Sequence, residues 1–149
     1  MAVVRSSISA PVDNIWGDVR AKIEFDETRF GPQSLTGLSD FSHVEVIFLL
    51  DRVPEETVET GARHPRGRSD WPLTGIFAQR GRNRPNRIGA TVCRLLNVEN
   101  LTVTVEGLDA IDGTPVLDLK PYLREFGPRG EVRQPLWATE LMSRYWSRK

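Results

Sequence analysis

The chain is organised around the stretch Gly75-Ile76-Phe77-Ala78-Gln79-Arg80-Gly81-Arg82-Asn83-Arg84-Pro85-Asn86-Arg87-Ile88-Gly89. Four arginines stand at every second or third position, with glycine, asparagine and proline between them. No apolar period, helical or alternating, runs through residues 79–87, so this part is neither a buried strand nor an amphipathic helix. Gly81 and the Arg84-Pro85-Asn86 turn call for a fixed, irregular loop. The apolar runs on either side, residues 73–78 and 88–96, read as strands. A stiff loop that carries four guanidinium forks between two strands is either a grip for an anion or a solvated basic loop, since arginine is common on surfaces.

Outward from this loop the chain is mostly strand. Residues 18–26 alternate, with Val19, Ala21, Ile23 and Phe25 on one side and Arg20, Lys22 and Glu24 on the other, the pattern of a half-buried strand. Residues 41–50 are the most strand-like segment, and Val44, Val46, Phe48 and Leu50 share its inner face. Residues 2–8 suit a short edge strand, and residues 27–38 a loop with one helical turn. Residues 88–98 and 101–108 form a strand pair around Glu99-Asn100. Asp112-Gly113 marks a turn, and Thr114-Pro115 leads into a further short strand. Residues 54–72 form a long polar loop, of the kind that carries function or disorder. The one helix expected spans residues 135–146, with Pro135 in its first turn and Leu136, Trp137, Leu141 and Tyr145 on its apolar face. Many short strands and one late helix predict a mostly-β fold, a small β-barrel in one domain over residues 1–149.

Charge is unevenly spread along the 149 residues, although the formal net charge is zero. Residues 1–62 hold five basic and eleven acidic side chains, residues 63–87 seven arginines and one aspartate, and the remainder eight of each. The basic centre suits an anionic partner, and overall neutrality argues against a general nucleic-acid coat. The single cysteine, Cys93, cannot close an intrachain disulfide and lies in an apolar run, where a buried small hydrophobe outweighs a nucleophile. No signal-peptide pattern opens the chain and its apolar runs are too short for a membrane span, so a cytoplasmic protein without membrane contact is expected. The aspartates at positions 109, 112 and 118 lack calcium-loop spacing and a His/Cys cluster, so no metal is expected. His43, at a strand start, is read as a hydrogen-bonded structural residue rather than a catalytic one. Dinucleotide, P-loop and Gly-x-Ser-x-Gly signatures do not occur.

Three segments together resemble the TsaA-like, or TrmO, family. Its pattern Gly-x-Phe-Ala-Thr-Arg-Ser-x-x-Arg-Pro-Asn-Pro-Ile-Gly is similar to residues 75–89. Asp-x-x-Asp-Gly-Thr-Pro-Val-x-Asp-x-Lys-Pro-Tyr agrees with residues 109–122, and Phe41-Ser42-His43 agrees with the start of the family's central strand. The resemblance covers roughly residues 35–125. It implies a small β-barrel, often a homodimer, that binds S-adenosylmethionine near the subunit interface and methylates N6-threonylcarbamoyladenosine in tRNA. By resemblance the donor-binding positions are Arg80, Ala90, Glu106, Gly107, Leu108 and Asp109, with Asp51 and Arg52 at the place of a His-Gln pair that they do not match. Gln79, Gly81 and Arg87 also depart from the pattern, no Pro-Arg-Gln-Pro-Gly segment is visible around residues 11–17, and the additional C-terminal domain of many members is not expected here.

The residue types suit this chemistry. Arg80 can clasp the donor's carboxylate with a planar fork. Asp109 or Glu106 can accept from its amino group or ribose hydroxyls, and the backbone at Gly107 and Leu108 can meet the adenine edge. Arg82, Arg84 and Arg87 are the candidates for substrate phosphates, with holding the Pro85-Asn86 turn as the alternative for Arg84. Phe77 and Trp71 are the aromatic residues near the loop that could stack a base. No general base is assignable; Asp112 is a candidate, set against an ordinary turn aspartate. Two other functions stay open: a module that binds S-adenosylmethionine or a nucleotide without turnover, and a small-molecule methyltransferase.

Overall fold

The computed structural model describes residues 1–147. Its strands are β1 (Ala2–Ser6), β2 (Arg20–Phe25), β3 (His43–Leu49), β4 (Ala62–Arg63), β5 (Thr74–Gly75), β6 (Ile88–Glu99), β7 (Thr102–Glu106) and β8 (Pro115–Pro121), followed by the helix α1 (Leu136–Met142). Six of the strands close into a barrel in the order β1-β2-β7-β6-β3-β8, all neighbours antiparallel, while β4 and β5 make a separate two-stranded ribbon. A barrel is the expected outcome for strands that alternate apolar and polar residues. Each buries one face, and closure removes the unpaired edges.

The core follows the alternation. Val4, Ile23, Val44, Val46, Phe48, Cys93, Val103, Val105 and Val116 point inward from six strands and pack in one cluster, which Leu108 completes. β6 is long enough to serve two neighbours in turn. Residues 88–94 pair with β3 and residues 94–99 with β7, with a register shift between Leu95 and Asn97 where the strand bends round the barrel. A second shift, between Ile47 and Phe48 of β3, pushes Leu117 of β8 out of the ladder. Asn100, at φ 52°, turns the β6–β7 hairpin, a conformation asparagine tolerates better than most residues.

Three expectations change. The run 73–78 is not one strand. Only Thr74–Gly75 pair, with Ala62–Arg63, and Ile76–Ala78 form a single 3-10 turn. The cause is the buried amide of Gln79, which donates to the carbonyls of Arg63 (3.0 Å) and Thr74 (2.7 Å) and folds the chain back. β1 is not an edge strand, because Ala2 and Val3 also pair with Val116 and Pro115 and so close the barrel. The helix is shorter than its pattern. Pro135 caps it, Leu136 is 73% exposed instead of lying on the apolar face, and the helix ends at Met142. Beyond it, the carbonyls of Arg144 and Tyr145 accept from the N–H groups of Ile15 and Trp16, and these bonds replace helical ones.

Gly89 explains one fixed position of the central stretch. It faces Phe48 across the β3–β6 ladder, and a Cβ on it would lie 2.4 Å from two ring carbons of a side chain that has no room to withdraw. Gly89→Ala should therefore lower stability by about 1–3 kcal/mol through overpacking. Urea unfolding of the variant checks this, and an unchanged midpoint would mean that Phe48 can swing aside.

Candidate functional site

The site forms where the central loop meets β6 and the segment after β7. Irregular backbone leaves carbonyls without ladder partners, and here arginines supply them. Arg84 donates to the carbonyls of Gln79 and Ile76, and Arg87, at φ 53°, donates to that of Val53 at 3.1 Å. Asn83 ties the same loop to the carbonyl of Thr57 at 2.8 Å. The loop is thus held rigid from inside, and Arg80 leaves it to donate from Nη2 to the carbonyl of Ala90 at 2.7 Å. A guanidinium has five N–H donors, so most of this fork is unused.

The next residue of β6, Thr91, is buried, and its hydroxyl donates to Oδ1 of Asp109. Gly107, at φ 86°, turns the chain out of β7, and Asp109 then stands between Leu108 and Ala110, which anchor the segment in the core. The other oxygen of Asp109, Oδ2, accepts from the phenol of Tyr145. A cationic fork and a carboxylate therefore stand at two consecutive residues of one strand. No ion pair joins them among the described residues.

The remaining candidates fall elsewhere or play other parts. Glu106 projects from the outer face of β7, bonded to Arg20 at 3.2 Å and facing Arg94 at 3.6 Å. The Leu108 side chain lies wholly in the core, so only its backbone can meet a ligand. Arg52 donates to the carbonyls of Ser9 (3.1 Å) and Asp112 (2.9 Å), and Asp51 beside it is exposed. Arg82 is exposed and makes no hydrogen bond among the described residues, in contrast to Arg84 and Arg87. Asp112 accepts from the N–H of Ser6 at 3.0 Å, the role of a turn residue. His43 is exposed, with Nδ1 2.8 Å from the hydroxyl of Ser42. Two residues of the cluster, Thr91 and Tyr145, were not among the sequence candidates. A hydroxyl at an inward position of an apolar strand was the available sign for Thr91.

A profile for the N-terminal domain of tRNA-methyltransferase O matches residues 5–127. The chain belongs to the TrmO family. TrmO from Pseudomonas aeruginosa, a solved structure, superposes with a TM-score of 0.72 at 28% identity, over 91% of this chain and 58% of that one. The human tRNA (adenine(37)-N6)-methyltransferase is 39% identical over 103 residues, which is 69% of this chain and 23% of that protein. A putative S-adenosylmethionine-dependent methyltransferase, RcsF of Pseudomonas aeruginosa, is 37% identical over 122 residues, 82% of this chain and 50% of that protein. A probable S-adenosyl-L-methionine-binding protein of Archaeoglobus fulgidus is 38% identical over 99 residues, 64% of this chain and 26% of that protein. The chain thus spans half or less of the length of these curated relatives. No helix among the described residues is long and apolar enough to cross a membrane.

In this TrmO-family chain the lone thiol lies directly under the cluster. Burial, and secondarily the charge of Asp109, push Cys93 up to about 12. A raised thiol pKa keeps the neutral form in the folded state, and the thiolate is the reactive species. Cys93 should therefore resist a disulfide exchange reagent at mildly alkaline pH in the native protein and react fully once denaturant is added. Fast labelling of the folded protein would contradict the buried placement.

Proposed function

We propose that this chain is the donor-binding β-barrel of an S-adenosylmethionine-dependent methyltransferase that acts on tRNA, at N6 of a modified adenosine beside the anticodon. The observation that carries the reading is the placement of Arg80 at Ala90 and of Asp109 at Thr91, within a family match that covers most of the chain. The donor's amino-acid end bears a carboxylate and an ammonium, and a mostly unused guanidinium beside a half-used carboxylate fits that pair in charge and reach. When bound, the sulfonium supplies an already activated methyl group. The protein's part is then to bind, orient and exclude water.

In this reading Arg80 takes the donor carboxylate and Asp109 the opposite charge. The backbone at Gly107 and Leu108 edges the adenosine. Neither Cys93 nor Tyr145 serves as a base, because burial holds both as neutral donors. The acceptor arrives past the rim of the basic loop. Arg82, exposed there, and Phe77, 77% exposed at the start of the same loop, supply a phosphate contact and a stacking face. Arg84 and Arg87 keep the loop in shape for them. A cytoplasmic location follows from the tRNA substrate.

A second copy is also part of the proposal. Ile88 and Val92 of β6 are exposed on the outer barrel face, flanking Ala90, with Ile47 and Leu49 of β3 beside them. An apolar sheet face this close to the donor residues supports a two-fold homodimer around the site. Light scattering should give twice the chain mass at micromolar concentration, and a monomer mass would remove the dimer.

The donor and RNA assignments are tested side by side. Arg80→Ala should weaken S-adenosylmethionine binding by about 10- to 150-fold, the worth of a charge-assisted hydrogen bond. Arg82→Ala should leave donor affinity nearly unchanged and flatten the log–log salt dependence of tRNA binding by about 0.7, one phosphate contact on a single strand. Calorimetry for the donor and a salt titration for tRNA read the two effects. Loss of donor binding in Arg82→Ala would merge the two roles, and absence of salt-sensitive tRNA binding by the wild type would move a small acceptor, or binding without turnover, ahead.

A further inference from the structure

The segment after α1 is built into the site from several directions. Ile15 and Trp16 present successive N–H groups to the carbonyls of Arg144 (3.3 Å) and Tyr145 (2.9 Å). Ile15 does so at φ 70°, a conformation that a β-branched residue rarely adopts and that the surroundings must enforce. Gly17 follows, and a Cβ there would lie 1.9 Å from the carbonyl oxygen of Trp146, so the approach admits glycine alone. Buried Trp71 donates its indole N–H to Glu140 of α1 at 2.7 Å. Tyr145 packs edge-on against Trp146, with ring centroids 4.9 Å apart. These contacts set the phenol on Oδ2 of Asp109, opposite Thr91 on Oδ1.

Arg80 and Asp109 are opposite charges at neighbouring residues of β6, yet they do not pair. Arg80 is held by a neutral carbonyl and Asp109 by two neutral hydroxyls. Each hydroxyl takes one acceptor position on its own oxygen, which fixes the carboxylate plane and leaves one position on each oxygen. Burial, together with the Asp109 charge and hydrogen bond, pushes the Tyr145 phenol well above its ordinary value, so it remains a donor throughout the working pH range.

We propose that Tyr145 is a positioning residue. With Thr91 it holds the Asp109 carboxylate away from Arg80 and aims it at a cationic group, so that the two charges together form a subsite for a zwitterionic amino-acid end. The inference rests on the donor reading given above and adds to it the C-terminal segment as a wall of the site. Preorganised acceptors of this kind raise affinity because their orientation is fixed before the ligand arrives.

The experiment titrates S-adenosylhomocysteine, which keeps the amino-acid end, and methylthioadenosine, which lacks it, into the full chain. Wild type, Tyr145→Phe, Asp109→Asn and the double variant are compared, with melting curves to confirm folding. Tyr145→Phe should weaken S-adenosylhomocysteine by about 3- to 10-fold, the range of an ordinary hydrogen bond, because the phenol acts on the ligand only through Asp109. It should leave methylthioadenosine unchanged and add nothing in the Asp109→Asn background, because coupled residues are non-additive. A purely structural role would weaken both ligands alike and persist beside Asp109→Asn, and either result overturns the proposal. Equal binding by Tyr145→Phe overturns it too, and tighter binding would mean that the phenol occupies the ligand's place. Should Tyr145→Phe not fold, Thr91→Val against Thr91→Ser makes the same comparison from the barrel wall, with loss expected in the first and rescue in the second. If the wild type binds neither ligand, the donor reading itself fails, which is distinct from failure of the Tyr145 role.

Discussion

Twelve residues of β6 must pair with β3 along one half and with β7 along the other, and the site depends on that sharing. A strand that crosses from one neighbour to the next has to bend, and the register shift after Leu95 provides the bend. The half before it, residues 88–94, pairs with β3, and both the central loop and the segment after β7 reach it. Ala90 and Thr91 lie in that half. One offers a carbonyl to the loop's Arg80, the other a hydroxyl to Asp109. Barrel closure through β1 fixes the curvature, so the spacing of the two charges is a property of the whole barrel and not of the loop alone.

The arginine-rich centre has two uses, which its composition does not separate. Guanidinium groups that donate to carbonyls inside an irregular loop do the work that a sheet ladder does elsewhere. Arg66, on the carbonyl of Asp13 and the amide of Asn14, belongs with Arg84 and Arg87 in this group. Arg68 lies 4.0 Å above the Trp71 ring and pairs with Asp70, so its charge is matched locally. Only part of the positive charge counted along residues 63–87 is therefore presented outward, and Arg82 is its clearest exposed member.

Much of the barrel was legible because alternation fixes which face of a strand is buried. Val44, Val46 and Phe48 in β3 and Ala21 and Ile23 in β2 are read on one face from period two and are found inward. The long motifs place Arg80 and Asp109 among the expected donor-binding positions, and the fold sets them against consecutive residues of β6. Three things were not legible for physical reasons. The role of Gln79 depends on carbonyls that become available only when the β4–β5 ribbon forms. The end of α1 depends on N–H groups of residues 15 and 16, which lie at the far end of the sequence. The phenol of Tyr145 read as part of an apolar helical face, because no local pattern shows that a side chain past the last helical turn reaches a carboxylate.

The pairing of Ala2 with Val116 has a consequence for the order in which the molecule assembles. β1 finds its second partner only after β8 has been made, so barrel closure is a non-local and intrinsically slow event. Residues 15–17, which receive the C-terminal segment, lie between β1 and β2. The segment that docks on them follows β8 and is made after it. A nascent or partly folded chain would expose the inner face of β1 but would not yet carry the hydrogen bonds that set Arg80 and Asp109, so that arrangement would appear late and together with full folding.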